Sequence, residues 1–302
     1  MHLGNSIICP VTGIPMIVAA GAAAIWAFKK AKKDFTKEGI LPAVALTSFV
    51  FALQMINFSI PTTGSSGHIV GALLLAAILG PYTAFLAICG ILLVQALFFA
   101  DGGLMALGCN IFNMGILACF VAYPLIYRPL ADRRKTVTGA ILASVVALQL
   151  GAVAVVAESA ISGSTTDAAM FASLMQSIHF AIGIIEGVFT AVIVLVAKKS
   201  ALSKMFSYCI SGAALILAGV ISQFASAKPD GLEWSLLNMS DAFVEQTQGA
   251  LYNMSELIQA KTAILAQIPS VPANIAGLLA IAFVMYAVCM ILTHKKADVY
   301  EK

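Results

Sequence analysis

Apolar positions along this 302-residue chain fall in long runs rather than in alternation. Nine stretches are almost wholly apolar: Val11–Phe28, Leu41–Ile60, His68–Leu79, Tyr82–Phe99, Leu104–Ile126, Val137–Ser159, Met170–Ala197, Phe206–Phe224 and Ala273–Thr293. Most approach the roughly 20 residues that a helix needs to cross a hydrocarbon core. The alternating segments of about 10 residues that mark a membrane β-barrel are missing. The pattern predicts an all-α polytopic membrane protein of about nine spans. The third stretch is short for a crossing. Gly80-Pro81 ends it, because proline disfavours helix in its predecessor.

Composition agrees: 61% of residues are hydrophobic and 10% are charged, against about 25% charged in soluble domains. The few basic residues carry topology. Lys29, Lys30, Lys32, Lys33 and Lys37 follow the first stretch, and Arg128, Arg133, Arg134 and Lys135 the fifth. Lys198, Lys199 and Lys204 follow the seventh, and Lys295, Lys296 and Lys302 the ninth. With nine crossings, 15 of 17 basic residues lie on one side, which the positive-inside rule makes cytoplasmic. The net charge of +3 thus has a topological explanation and no bearing on nucleic acid. The amino terminus, the Ile60–Gly67 loop, Asp101-Gly102-Gly103, the Ser159–Ala169 loop and Ala225–Pro272 then share the extracytoplasmic side.

That shared side brings chemistry into view. The chain has four histidines, and one is the second residue. An amine, the His2 amide nitrogen and the His2 imidazole close a five-membered and a six-membered chelate ring on one metal ion. His68 would supply a fourth nitrogen, a set suited to nickel(II) or copper(II), while cobalt(II) would add an axial ligand. Alternatively His68 anchors a helix start at the membrane interface. The chelate requires a free amine on Met1. No Lys or Arg precedes the first apolar run, so a signal peptide with a basic leading region is not expected.

Amides inside apolar helices face the bundle interior, where they find partners. Gln54 and Asn57 in the second stretch, Gln95 in the fourth, and Asn110 and Asn113 in the fifth either hold the amino terminus or tie helices together. Ser65 and Ser66 in the glycine-flanked loop before His68 offer partners to a ligating imidazole. His179 and Glu186, seven apart, share a face of the seventh span and either relay ions or lock helices. Glu158 is expected near the interface. Six cysteines occur singly, without a C-x-x-C pair, and read as small buried hydrophobes. There is no G-x-x-x-x-G-K-[ST] phosphate loop, so ATP hydrolysis would fall to another chain. Asp241 to Ile268 reads as an amphipathic helix in an acidic segment, either a lid or a solvated spacer.

Several blocks together resemble a known family. The Met1-His2 start, "MINFSIPTTGSSGH" at Met55–His68, "LGPYTAFLAICGILLVQALFFADGGLMALGCNIFNMG" at Leu79–Gly115 and "HFAIGIIEG" at His179–Gly187 look like the CbiM/NikM capture subunit of energy-coupling-factor (ECF) transporters for cobalt and nickel. The likeness covers about residues 1–200. "KPDGLEW" at Lys228–Trp234 resembles the small NikN/PDGLE accessory subunit, which has two spans and is fused to the capture subunit in some systems. The resemblance implies a seven-helix capture bundle at 1–203 and a two-helix accessory segment at 204–302. It implies Met1, His2 and His68 as metal ligands. Asn57, Ser65, Ser66, Gln95, Asn110, Asn113, His179 and Glu186 become candidates for supporting or helix-tying roles.

The function implied is capture and translocation of Co²⁺ or Ni²⁺ for cobalamin biosynthesis or nickel-enzyme maturation. No permanent cofactor is expected. The implied setting is a prokaryotic cytoplasmic membrane, with a transmembrane coupling (T) subunit, two ABC ATPase subunits and lipid as partners. A vitamin-capture subunit of the same fold, a membrane enzyme or assembly factor, and a self-sufficient permease are the rival readings.

Overall fold

A computed structural model describes residues 1–239 and 242–294. Lys295, Lys296 and Lys302, with Asp241, lie outside the described residues. The chain is predominantly helical. After an amino-terminal strap come α1 (Pro10–Asp34), α2 (Ile40–Gln54), a two-stranded hairpin of β1 (Phe58–Ser59) and β2 (Ser66–Gly67), and α3 (Ala72–Leu79). Then follow α4 (Pro81–Val94), α5 (Leu107–Ile111), α6 (Arg128–Asp132), α7 (Thr136–Ile161), α8 (Ala168–Lys199) and α9 (Lys204–Gly219). α10 (Gly231–Leu237), α11 (Ala250–Thr262) and α12 (Ser270–Thr293) complete the order. Wide i, i+5 turns extend α4 through Gln95–Phe99 and join α5 to α6 through Phe112–Tyr127.

Local chemistry sets the helix starts. Pro10 and Pro81 occupy first turns, where a missing N–H costs nothing. Asp167, Ser203 and Asp230 accept main-chain N–H groups at the starts of α8, α9 and α10. Among the described residues, six helices are long and apolar enough to cross a membrane: Pro10–Asp34, Pro81–Phe99, Leu107–Asp132, Thr136–Ile161, Ala168–Lys199 and Ser270–Thr293. The second, third and eighth apolar stretches form shorter helices of 15, 8 and 16 residues. At 1.5 Å per residue α3 reaches only about 12 Å, so the third stretch is not a full crossing by itself.

Two further expectations change. His68 does not open a helix: it follows β2 and stands four residues before α3. The amphipathic helix expected over Asp241–Ile268 is confined to Ala250–Thr262, with Phe243 outside it. Gly249, at φ +108°, marks the break.

Phe51, Phe85, Phe171, Leu46, Ile88 and Ile91 are fully buried at the centre. Val18, Ile25, Phe180, Val192, Leu279 and Phe283 on the long helices point outward. An exposed apolar belt on helices of this length is what lipid covers.

Candidate metal site

The strap Met1–Cys9 runs inward, with Met1, Leu3, Ile7 and Ile8 buried. Its main chain is gripped by side chains. Asn110 accepts from the Leu3 N–H at 2.8 Å and donates to the Leu3 carbonyl at 3.1 Å, replacing a strand neighbour. Gly103 N–H donates to the same carbonyl at 2.8 Å. A Cβ on Gly103 would stand 2.3 Å from the Asn5 nitrogen, so only glycine lets the strap pass. Asn5 Oδ1 accepts from the Met105 N–H, while its Nδ2 donates to Glu256 and Gln259 of α11.

This path delivers His2 to His68. Their ring centroids are 5.0 Å apart and the planes are tilted by 26°. Two nitrogens each about 2 Å from one ion, cis to one another, would set the ring centroids roughly 4–5 Å apart. Met1, His68, His179, Val70, Asp230 and Gly231 line a small chamber beside this pair, with about the free space of one water. Pockets for drug-sized organic ligands measure hundreds of Å³, far more than this chamber holds.

Hydrogen bonds select the ring nitrogens that are left free. Gln54 Nε2 donates to the Val70 carbonyl at 2.6 Å, and Gln95 Nε2 donates to Gln54 Oε1 at 3.0 Å. Gln95 therefore presents its Oε1 to His2 Nε2 at 3.2 Å and accepts that proton. His2 Nδ1 keeps its lone pair, and this is the nitrogen needed for the six-membered chelate ring. On His68, Nδ1 faces the Ile69 carbonyl at 3.4 Å, while Nε2 is buried without any partner. A buried acceptor left unpaired is costly, and a ligand that accepts its electron pair removes the cost.

The charges suit a cation. Burial, chiefly, and then the neighbouring Met1 ammonium hold His2 down to about 3. The same two causes depress His68. Both rings are neutral at physiological pH, the form that ligates. Asp101 Oδ1 lies 3.4 Å from His2 Nδ1 at the half-exposed mouth. Burial raises the Asp101 carboxyl above its ordinary value, and a proton or a cation between these two atoms relieves their repulsion. Asp230 Oδ2 lies 3.3 Å from the Met1 ammonium. Burial raises the Asp230 carboxyl, but that ammonium and the Glu233 main-chain N–H outweigh it and hold it below the usual range.

The remaining candidates do other work. Glu186 accepts from the Val70 N–H at 2.8 Å and the Gly71 N–H at 3.1 Å, fixing the segment after His68. It makes no hydrogen bond to His179, whose Nδ1 pairs with the Met175 carbonyl at 2.7 Å, so the expected His179–Glu186 pair is not formed. Asn113 donates to Glu158 at 2.7 Å, and Glu158, three residues before the end of α7, is buried within the bundle. Ser65 and Ser66 bond the carbonyls of Lys228 and Pro229 rather than an imidazole. The Asn57 carbonyl accepts from the Ser226 N–H, tying it to the accessory segment.

Sequence reading missed Asp101 and Asp230 as neighbours of the site. The Asp-x-x-Glu spacing of Asp230 and Glu233, a helix-start signature, marked the second of these. Among the described residues, no group of three His, Cys, Asp or Glu side chains forms a metal cluster. A metal here depends on main-chain nitrogen as well as on side chains.

Comparison with known proteins fits this geometry. Residues 2–204 match the family model "cobalt uptake substrate-specific transmembrane region", CbiM, and residues 204–294 match the PDGLE domain. A fused nickel transport protein NikMN of Rhodobacter capsulatus is 38% identical over 124 residues, covering 40% of this chain and 35% of that protein. A cobalt transport protein CbiM of Sorangium cellulosum is 38% identical over 78 residues, 26% of this chain and 35% of the relative. The chain spans about half, 52%, of a NikMN-type relative from Archaeoglobus fulgidus at 34% identity over 185 residues. A crystal structure of a truncated transition metal transporter aligns with TM-score 0.59 and 32% identity, covering 66% of this chain and 99% of that one.

Proposed function

The chain belongs to the CbiM family, the substrate-specific transmembrane region of cobalt uptake, and on that premise we propose that it captures Ni²⁺ or Co²⁺ outside the membrane and passes it inward. It is a multi-pass membrane protein, and the comparisons support metal uptake. The finer reading is a capture bundle at 1–203 with a fused accessory segment at 204–302 in a prokaryotic cytoplasmic membrane. It crosses nine times, the third time through the buried His68–Gly71 segment continued by α3, with the amino terminus outside. It works with an ECF coupling subunit and two ATPases, and the metal serves cobalamin synthesis or nickel-enzyme maturation.

The ligands are the Met1 amine, the His2 amide nitrogen, His2 Nδ1 and His68 Nε2. The observation that carries this reading is the unpartnered, buried His68 Nε2 beside the free lone pair of His2. Four nitrogens suit nickel(II), and an added axial group suits cobalt(II). A chamber holding about one water supports an ion over a vitamin. Gln95, Asn110 and Glu186 act through the ligands, by fixing a tautomer, the strap and the His68 segment.

Calorimetric titration of the purified protein with nickel and cobalt tests this. His2→Ala, or one residue added before Met1, should abolish high-affinity binding while membrane insertion persists. Full affinity in the extended protein would sink the chelate.

A further inference from the structure

The accessory segment reaches the chamber through a single side chain. Asp230 caps α10: its Oδ1 accepts the N–H groups of Leu232 at 2.9 Å and Glu233 at 2.8 Å. Glu233 returns the bond by accepting the Asp230 N–H at 3.1 Å. The cap consumes one carboxylate oxygen and aims the other, Oδ2, at the Met1 amine 3.3 Å away. The preceding residues are pinned to the hairpin that leads to His68. Ser66 N–H donates to the Pro229 carbonyl at 2.8 Å, and Ser66 Oγ donates to the Lys228 carbonyl at 2.7 Å. Gly231 then packs against Ile178 and His179 of α8. Asp230 and Gly231 line the chamber, and the Asp230 side chain is less exposed than that of Asp101 beside His2.

We propose that Asp230 is a positioning residue of the metal site: it orients the Met1 amine and supplies the counter-charge that balances the bound ion. This rests on the metal reading above. A nitrogen ligand must bind without the proton it would lose to the metal. A divalent ion held by one deprotonated amide and three neutral nitrogens leaves a net charge of +1. That equals the charge of the Met1 ammonium that Asp230 faces at 3.3 Å. One buried carboxylate therefore balances the chamber in both states. A charge buried without its partner is costly, and with Asp230 neutral the loaded site would keep only the more exposed, solvent-screened Asp101 as counter-charge.

Two substitutions separate charge from architecture. Asp230→Asn keeps a good helix cap but removes the charge. Asp230→Glu keeps the charge but lengthens the arm and impairs the cap. Nickel titration of the full chain should show affinity weakened by about tenfold or more in Asp230→Asn and within about threefold of wild type in Asp230→Glu. Glu233→Gln, which perturbs the capping box without touching the amine, should bind like wild type. Unchanged or tighter binding by Asp230→Asn, or a greater loss in Asp230→Glu, overturns the proposal. Undiminished binding by His2→Ala would instead overturn the metal site itself.

Discussion

Gln95, whose Oε1 lies 3.2 Å from His2 Nε2, decides which nitrogen of His2 would face a bound ion. It does so because Gln54 and the Val70 carbonyl have already fixed the orientation of its amide. Replacing Gln95 by Leu removes the acceptor at His2 Nε2 and frees the ring to change tautomer or turn. Supporting partners of metal-bound histidines are typically worth 10–100-fold in affinity. Gln95→Leu should weaken nickel binding by about that factor, read by competition with a coloured chelator, while the protein remains folded. Wild-type affinity would show that the chelate rings alone hold the imidazole. Glu186 works at one remove, through the two N–H groups between His68 and α3.

At the scale of elements, the site depends on an interruption. Between β2 and α3 the chain must turn so that His68 faces the strap while α3 packs inward. Gly71 makes that turn at φ +73°, and a Cβ there would meet Val50 Cγ1 at 2.6 Å. Gly71→Ala should therefore combine left-handed backbone strain with overpacking, a loss of about 2–4 kcal/mol. It is expected as a lowered unfolding temperature in detergent together with weaker metal binding. A stability equal to wild type would mean that α2 yields. The strap is a second interruption. Asn110, Asn5 and Gly103 replace the pairing that a sheet would provide, so an extended segment enters a helical bundle with its main chain satisfied.

For the whole molecule, the proposed function makes release the step to explain. Met1 and His68 are buried, with Asp230 and Gly231 beside them. Opening this packing toward the inside requires work, and the chain has no phosphate loop with which to draw on ATP. Proteoliposomes containing this chain alone should show no sustained nickel uptake, and uptake should appear when a coupling subunit and ATPases are supplied. Sustained transport by the isolated chain would favour a self-sufficient permease.

The run lengths of apolar residues made the helical membrane class legible, because desolvating a main chain in lipid leaves little choice but helix. The resemblance of several blocks made the family legible, and the three candidate ligands with it. What the sequence did not reveal arises from contacts between distant residues. Gln95 and Gln54, and Glu186 and Gly71, meet only after the bundle packs, whereas the approach of His2 to His68 was expected from their shared side. Helix lengths were blurred because apolar runs continue through loops buried in protein, as at His68–Val70. Asp230 and Glu233 carry a helix-start spacing, and in the structure Asp230 caps α10. That its second oxygen meets the Met1 amine, 229 residues away, depends on the tertiary structure alone. Local propensity fixes where a helix begins, but the spare valence of its cap is spent by whatever the fold places opposite.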